Sequence, residues 1–186
     1  REIENKLKNI ENNIENLETD KPFSFSEIKK VINGLKLGKV AGPDRIINEV
    51  IKYSNPFMIK NYVKIFSLIL LTGKYPKTWR NSFLVPLHKS GDKNDPNNYR
   101  GVSMINCLAK IFNATLNNRL TKIIDEQLSN SQFGFRENHR TADSIFILKS
   151  LINKYLHKNK KKFYACFVDL RKAFDSVWRD ALLYKL

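Results

Sequence analysis

Apolar residues recur at helical spacing along much of the chain, and at a period of two in only a few places. Ile3, Leu7, Ile10, Ile14 and Leu17 stand four, three, four and three apart. That spacing puts them on one face of a helix, either a short coiled-coil arm or a helix packed on its own domain. Thr19-Asp20-Lys21-Pro22 ends the pattern. Phe23 to Ile28 then reads as a helix start, with Ser24 as cap, Glu27 completing a capping box and Phe23 stapling onto Ile28. Val31, Ile32 and Leu35 continue its apolar face, and Gly38 is the expected stop. A second helical pattern carries Ile47, Val50 and Ile51, with Asp44 placed to cap it. A third, Phe57 to Leu71, turns Tyr62, Val63, Phe66, Ile69 and Leu70 inward and closes at Gly73, and Trp79 is expected in the core.

Phe83, Val85 and Leu87 alternate with Ser82, Leu84 and Pro86, the rhythm of a strand, and Pro86 assigns it to an edge or a bulge. A polar, turn-forming stretch between Lys89 and Tyr99 predicts the exposed, positively tipped loop of a hairpin. From Ile105 to Leu128 a long helix shows Leu108, Ile111, Phe112, Leu116, Leu120, Ile123 and Ile124 on one face, with Lys110, Arg119 and Lys122 off it. Phe133 and Phe135 are expected in the core, and Arg140-Thr141-Ala142-Asp143 opens a helix with Ile145, Leu148, Leu151 and Ile152. After a basic turn, Lys158 to Lys162, the run Phe163 to Val168 predicts a buried central strand that delivers Asp169 at its end. Asp169 by itself also fits a turn residue or a helix cap, and Asp175 fits a cap for a helix from Ser176 to Leu186.

Composition narrows the partners more than the fold. The 186 residues include 42% hydrophobic positions, a globular proportion, in a chain marginal for two full domains. Lys and Arg total 33 against 18 Asp and Glu, a net charge of +15, and the pI is about 9.8. A polyanion such as nucleic acid is the first partner this suggests, an acidic membrane surface the second, and a merely solvated basic face the third. Cys107 and Cys166 lie far apart in apolar sequence and read as small buried hydrophobes in a reducing compartment. No secretory signal and no apolar run of membrane-spanning length is visible, the longest being Ile65 to Leu71. An intracellular chain, in nucleus and cytoplasm, is the corresponding expectation.

The string KFYACFVDLRKAFDS, Lys162 to Ser176, resembles the first catalytic motif of reverse transcriptases in the form carried by LINE-like (non-LTR) retrotransposons. VPLHKSGDKNDPNNYRGVS resembles the fingers hairpin of the same enzymes. QFGFR, Gln132 to Arg136, resembles the segment before the catalytic strand, and GKVAGPD with the helix after it resembles the N-terminal fingers element. The strings occur in the family's order, and the resemblance covers roughly residues 22–186. GKVAGPD lacks the spacing of a nucleotide-binding P-loop, and a capped helix–turn–helix without ligand contact also fits it.

The resemblance implies an α+β fold. It consists of the fingers of a right-hand polymerase plus the start of the palm, helix-rich, with a small antiparallel fingers hairpin and a partial palm sheet. Residues 1–20 would be an N-terminal amphipathic helix or linker, 21–128 the fingers and 129–186 the truncated palm. It also implies that Asp169 and the Leu170 carbonyl hold metal, that Lys89 and Arg100 grip the triphosphate of a dNTP, and that Phe174 blocks its 2′-hydroxyl. Lys39, Gln132 and Arg136 would face an RNA template and DNA primer. The cofactors would be two Mg2+ (or Mn2+) ions, which in such enzymes sit about 3.5–4 Å apart between several carboxylates. The later Asp-Asp string that supplies further ligands does not occur in the sequence. These residues alone, without the remaining palm and thumb, are therefore expected to be inactive. A fragment that binds RNA without chemistry, in the manner of a maturase, and a decayed transposon remnant are the alternatives. Where the family has Gly after the Asp of GKVAGPD this chain has Arg45, which puts a positive-φ turn there in doubt. Where it has Pro after Arg100 this chain has Gly101, which suggests a looser backbone.

Overall fold

The computed structural model describes residues 18–158, 162–170, 173–174 and 176–185. The predicted helix over Ile3 to Leu17 lies outside the described residues, as do Asp175 and part of the basic turn before Phe163. The chain divides into two compact units, Asn16–Ile123 and one that includes Ile124–Leu186.

The first unit begins with a 3-10 turn, Glu18–Asp20, and helix α1, Phe25–Asn33. The capping box forms as its residues require. Glu27 N–H donates to Ser24 Oγ at 3.2 Å, and Ser24 N–H donates to Glu27 Oε2 at 2.7 Å. The helix stops at Gly34 rather than Gly38, because Gly34 N–H already closes on the Lys30 and Val31 carbonyls. Gly38 instead takes a positive φ of 66° and donates its N–H to the Glu49 carboxylate. Helix α2, Asn48–Lys52, is not capped by Asp44. Asp44 Oδ1 accepts from Ile46 N–H, a local turn that leaves the cap position to Ile47. Helix α3, Pro56–Thr72, starts on Asn55, whose side chain accepts from Met58 N–H at 2.9 Å, and ends on Gly73 at φ 64°.

Gly42 and Arg45 show what the GKVAGPD turn needs. A Cβ on Gly42 would lie 2.6 Å from the backbone of Ile105 and Asn106, so only glycine allows that approach. Arg45 adopts φ 59° despite its side chain, so the left-handed turn forms where the sequence put it in doubt. Arg45 N–H closes it on the Gly42 carbonyl at 3.0 Å. A left-handed L-residue costs about 1–2 kcal/mol, and the extra chain entropy of glycine offsets part of that. Arg45→Gly should therefore stabilise the chain by about 0.5–1 kcal/mol, read as a higher urea midpoint at unchanged slope.

The core of this unit is aromatic. Phe66, fully buried on α3, meets Phe112 and Trp79 edge-on at 5.8 and 5.9 Å, and Phe112 meets Phe23 at 5.8 Å. Phe112 lies on α4, Cys107–Ile124, four residues shorter at its C-terminus than the apolar pattern predicts. Between α3 and α4 the hairpin forms, β1 (Phe83–His88) antiparallel to β2 (Tyr99–Met104), with Pro86 opposite Gly101. This is the one sheet among the described residues. Gly101 is not loose. It lies inside the ladder, under the Leu84 side chain, where an added Cβ would stand 2.9 Å from Leu84 Cδ1.

The second unit holds α5, Thr141–Ile152, continued by a π-helical turn Asn153–Lys158, and α6, Arg179–Lys185. Asp143 Oδ2 accepts from Arg140 N–H at 2.9 Å and fixes the start of α5. No α5 side chain is buried, Ile145, Leu148, Leu151 and Ile152 of its apolar pattern included. Residues 162–170 form no strand, contrary to the prediction. A strand exists only through a ladder to a neighbour, and among the described residues no segment pairs with this one. Its apolar side chains are correspondingly exposed, Phe167 and Val168 among them. Cys166 is exposed as well, which corrects its assignment to the core; Cys107 is buried, and burial raises its thiol pKa.

Candidate functional site

The hairpin gathers two of the expected site residues. Arg100 stands opposite Leu87 in the ladder, so the two share a face. Lys89 follows Leu87 by two positions, and its N–H donates to the Asn98 carbonyl at 2.8 Å, extending the pairing by one step. Alternation therefore sets Lys89 and Arg100 on one face of the hairpin end. Among the described residues, the side chains of Lys89, Lys93 and Arg100 have no hydrogen-bond or ion-pair partner.

The loop between them is built rather than slack. Asp92 Oδ1 accepts from Asn94 N–H at 2.9 Å, and Asp95 Oδ1 accepts from Asn97 N–H at 2.9 Å. Each aspartate thus closes a local turn and neither pairs with a loop lysine. The loop carries Lys89 and Lys93 against Asp92 and Asp95, so the tip itself is near neutral and the positive charge lies at its base. His88 is exposed. It ends β1, rests edge-on against Tyr99 at 5.3 Å and bonds the Gly91 carbonyl through Nε2 at 3.1 Å.

Asp169, Leu170 and Phe174 are exposed in the second unit, Phe174 in a turn. Lys39 is exposed in the first unit, beside Gly38. Gln132 and Arg136 share one loop but differ in state. Gln132 is exposed, whereas the Arg136 side chain is only 8% exposed. Arg136 Nε donates to Asp125 Oδ1 at 2.8 Å and Nη1 to the Ser129 carbonyl at 2.9 Å. This bond holds the Asp125 carboxyl below its usual pKa. Phe135, expected in the core, is 97% exposed at φ 61°, because the bonds of Arg136 fix the loop in a form that turns its neighbour outward.

Spacing did not reveal Arg119. It lies off the apolar face of α4, yet its side chain is 12% exposed. Nε donates to Glu27 Oε1 at 2.6 Å and Nη2 to Oε2 at 2.9 Å, a bidentate pair. Nη1 donates to the Thr19 and Lys21 carbonyls, Nη2 to Pro22 O, and the guanidinium lies 4.3 Å from the Phe23 ring centre. The Arg119 hydrogen bonds, aided by those from Ser24, lower the Glu27 pKa from 4.5 to about 2. Glu49 is likewise lowered, chiefly by Gly38 N–H. Buried Asn106 was also missed. Its side chain accepts from Asp44 N–H at 3.3 Å and donates to Thr78 O at 3.1 Å, tying three segments together.

Among the described residues no three His, Cys, Asp or Glu side chains converge on a point, and no helix is long and apolar enough to cross a membrane. Asp169 and the Leu170 carbonyl are hard oxygen donors of the kind Mg2+ accepts, but they do not by themselves make a two-ion site.

Residues 88–186 match the family model described as reverse transcriptase (RNA-dependent DNA polymerase). The chain is 32% identical over 170 residues to the probable RNA-directed DNA polymerase from transposon BS of Drosophila melanogaster, covering 89% of the chain and 18% of that protein. It is 33% identical over 167 residues to the RNA-directed DNA polymerase from mobile element jockey of the same species, covering 87% and 18%. The probable polymerase from its X-element is 28% identical over 169 residues, covering 89% and 18%. The chain thus spans under a fifth of the length of these relatives.

Proposed function

Since the chain belongs to the reverse transcriptase (RNA-dependent DNA polymerase) family, as the likeness to non-LTR retrotransposon enzymes also indicates, we propose that it is the fingers and first palm segment of such a polymerase. Its role is to receive the incoming dNTP on the hairpin and to contact the template–primer. The observation that carries this reading is the pair Lys89 and Arg100, both unpaired and on one face of a loop whose aspartates are engaged elsewhere. A fork-shaped guanidinium and a point-charge ammonium suit a triphosphate approached from two sides.

The other assignments follow the same reading. Asp169 with the Leu170 carbonyl contributes to a divalent metal site, and Phe174 screens the sugar 2′ position. Lys39 and Gln132 meet the nucleic acid, while Arg136 serves it by holding the Gln132 loop through Asp125. The metal ions, when bound, would neutralise charge on the reacting phosphates. The further carboxylates they need are not among these residues, so the 186-residue polypeptide is expected to bind without polymerising.

Titration of the chain with Mg2+–dNTP and with an RNA–DNA hybrid, alongside primer extension, tests this. Saturable dNTP binding, hybrid binding that falls steeply with salt, and no incorporation are expected. RNA binding without any nucleotide binding, unaffected by Asp169→Ala, would favour a module that only holds RNA. Template-dependent incorporation would overturn the expected inactivity.

A further inference from the structure

Three consecutive carbonyls at the hairpin tip are each held by a side chain at or next to a strand end. His88 Nε2 bonds Gly91 O at 3.1 Å, Asn98 Nδ2 donates to Asp92 O at 2.9 Å, and Tyr99 Oη donates to Lys93 O at 2.9 Å. A carbonyl only accepts, so Nε2 of His88 carries a hydrogen in this arrangement. Gly91, at φ 85°, leaves room for Asn98, and a Cβ there would stand 2.7 Å from Asn98 Nδ2. The Asn98 backbone meanwhile receives Lys89 N–H. His88 and Tyr99 face each other across the ladder, next to the pair Leu87 and Arg100.

We propose that His88, Asn98 and Tyr99 are positioning residues, which lock the loop so that Lys89 and Arg100 present a fixed spacing of charge to a triphosphate. This rests on the triphosphate-binding reading above and adds to it the residues that set its geometry. The physical reason is entropic. A ten-residue loop that must be ordered on binding loses affinity for the ligand, whereas one already ordered does not. Two cations at fixed separation also favour an extended polyphosphate over a single phosphate, which either cation alone would bind.

The test uses the 186-residue chain, with inorganic tripolyphosphate and inorganic phosphate as probes, titrated by calorimetry across a salt series. The parent should prefer tripolyphosphate. Tyr99→Phe keeps the ring beside His88 and removes only the hydroxyl, and Asn98→Ala removes the Asp92 contact. Each should weaken tripolyphosphate binding about three- to tenfold, the size of one or two hydrogen bonds. Phosphate binding should change little, so the preference shrinks. The slope of affinity against salt should stay at the parent's value, because no cation is lost, whereas Lys89→Ala should lower it by about one counterion. The melting temperature should stay near the parent's, since the loop lies outside the core.

Parent-like tripolyphosphate binding in Tyr99→Phe and Asn98→Ala, with loss in Lys89→Ala and Arg100→Ala, would overturn the positioning role and leave the triphosphate reading standing. Parent-like binding in Lys89→Ala and Arg100→Ala would overturn both. Affinity falling in step with melting temperature in Tyr99→Phe would assign the network to folding and also overturn the proposal.

Discussion

Arg119→Ala should unfold the chain at a much lower urea concentration, with a loss of about 2–4 kcal/mol, the range for deleting one partner of a largely enclosed, multiply bonded ion pair. The guanidinium donates to both carboxylate oxygens of Glu27 and to the Thr19, Lys21 and Pro22 carbonyls before α1. It also covers the Phe23 ring, whose edge packs on Phe112 in the aromatic core. Removing it strands carbonyls, frees a charge and uncovers that ring at once. Arg119→Lys should recover little, because an ammonium has no fork to span the two Glu27 oxygens. The contact is also titratable. Glu27 has a folded pKa of about 2 against an ordinary 4.5, so the unfolded chain binds the proton more readily. The stabilisation from the pair is complete above about pH 4.5 and fades as pH falls toward about 2. Glu27 is one-third exposed, so solvent screens part of this effect. In Arg119→Ala that acid-dependent part should be lost and the stability–pH curve should flatten over the same window. A parent-like urea midpoint, or an unchanged acid limb, would mean the pair contributes little.

Arg100→Ala should weaken Mg2+–dNTP binding by about tenfold to a hundredfold, the usual size of hydrogen bonds to a charged group. Arg100 stands opposite Leu87 in the ladder, so the backbone pairing, not the side chain, holds it in place. Truncation should leave the fold and the melting temperature intact and cost only the ligand. Arg100→Lys should fall between, keeping charge and losing the bidentate fork. Hybrid binding should drop only modestly, since the remaining basic surface persists in a chain of net charge +15. Equal dNTP affinity in parent and Arg100→Ala would remove the hairpin from the nucleotide site.

Local rules made a good part of this molecule legible. The Ser24–Glu27 capping box, the stop at Gly73 and the edge strand with Pro86 each depend on residues a few positions apart, and each formed. The family was legible for a related reason, since its motifs are contiguous strings. Arg119 was not. Its main partner lies 92 positions earlier, and on a helical wheel it reads as one more surface cation. Phe135 misled in the opposite sense, because hydrophobicity alone favours burial while the bonds of Arg136 fix the turn that exposes it. Arg45 shows a turn form imposed against the preference of its own residue, with Gly42 pressed onto the backbone at Ile105.

What the sequence by itself determined is a set of local devices: the Ser24–Glu27 capping box, the stop at Gly73, the hairpin, the excess of positive charge and the motif order that marks the family. Only the tertiary structure decided which cations are free and which are spent. Lys89 and Arg100 stay available, whereas Arg119 and Arg136 are consumed by Glu27 and Asp125. It also decided that Phe163 to Val168 is not a strand here. The reason is the same in each case. Ion pairs and β-ladders need a partner brought near by folding, and no property of the residue itself says whether that partner arrives.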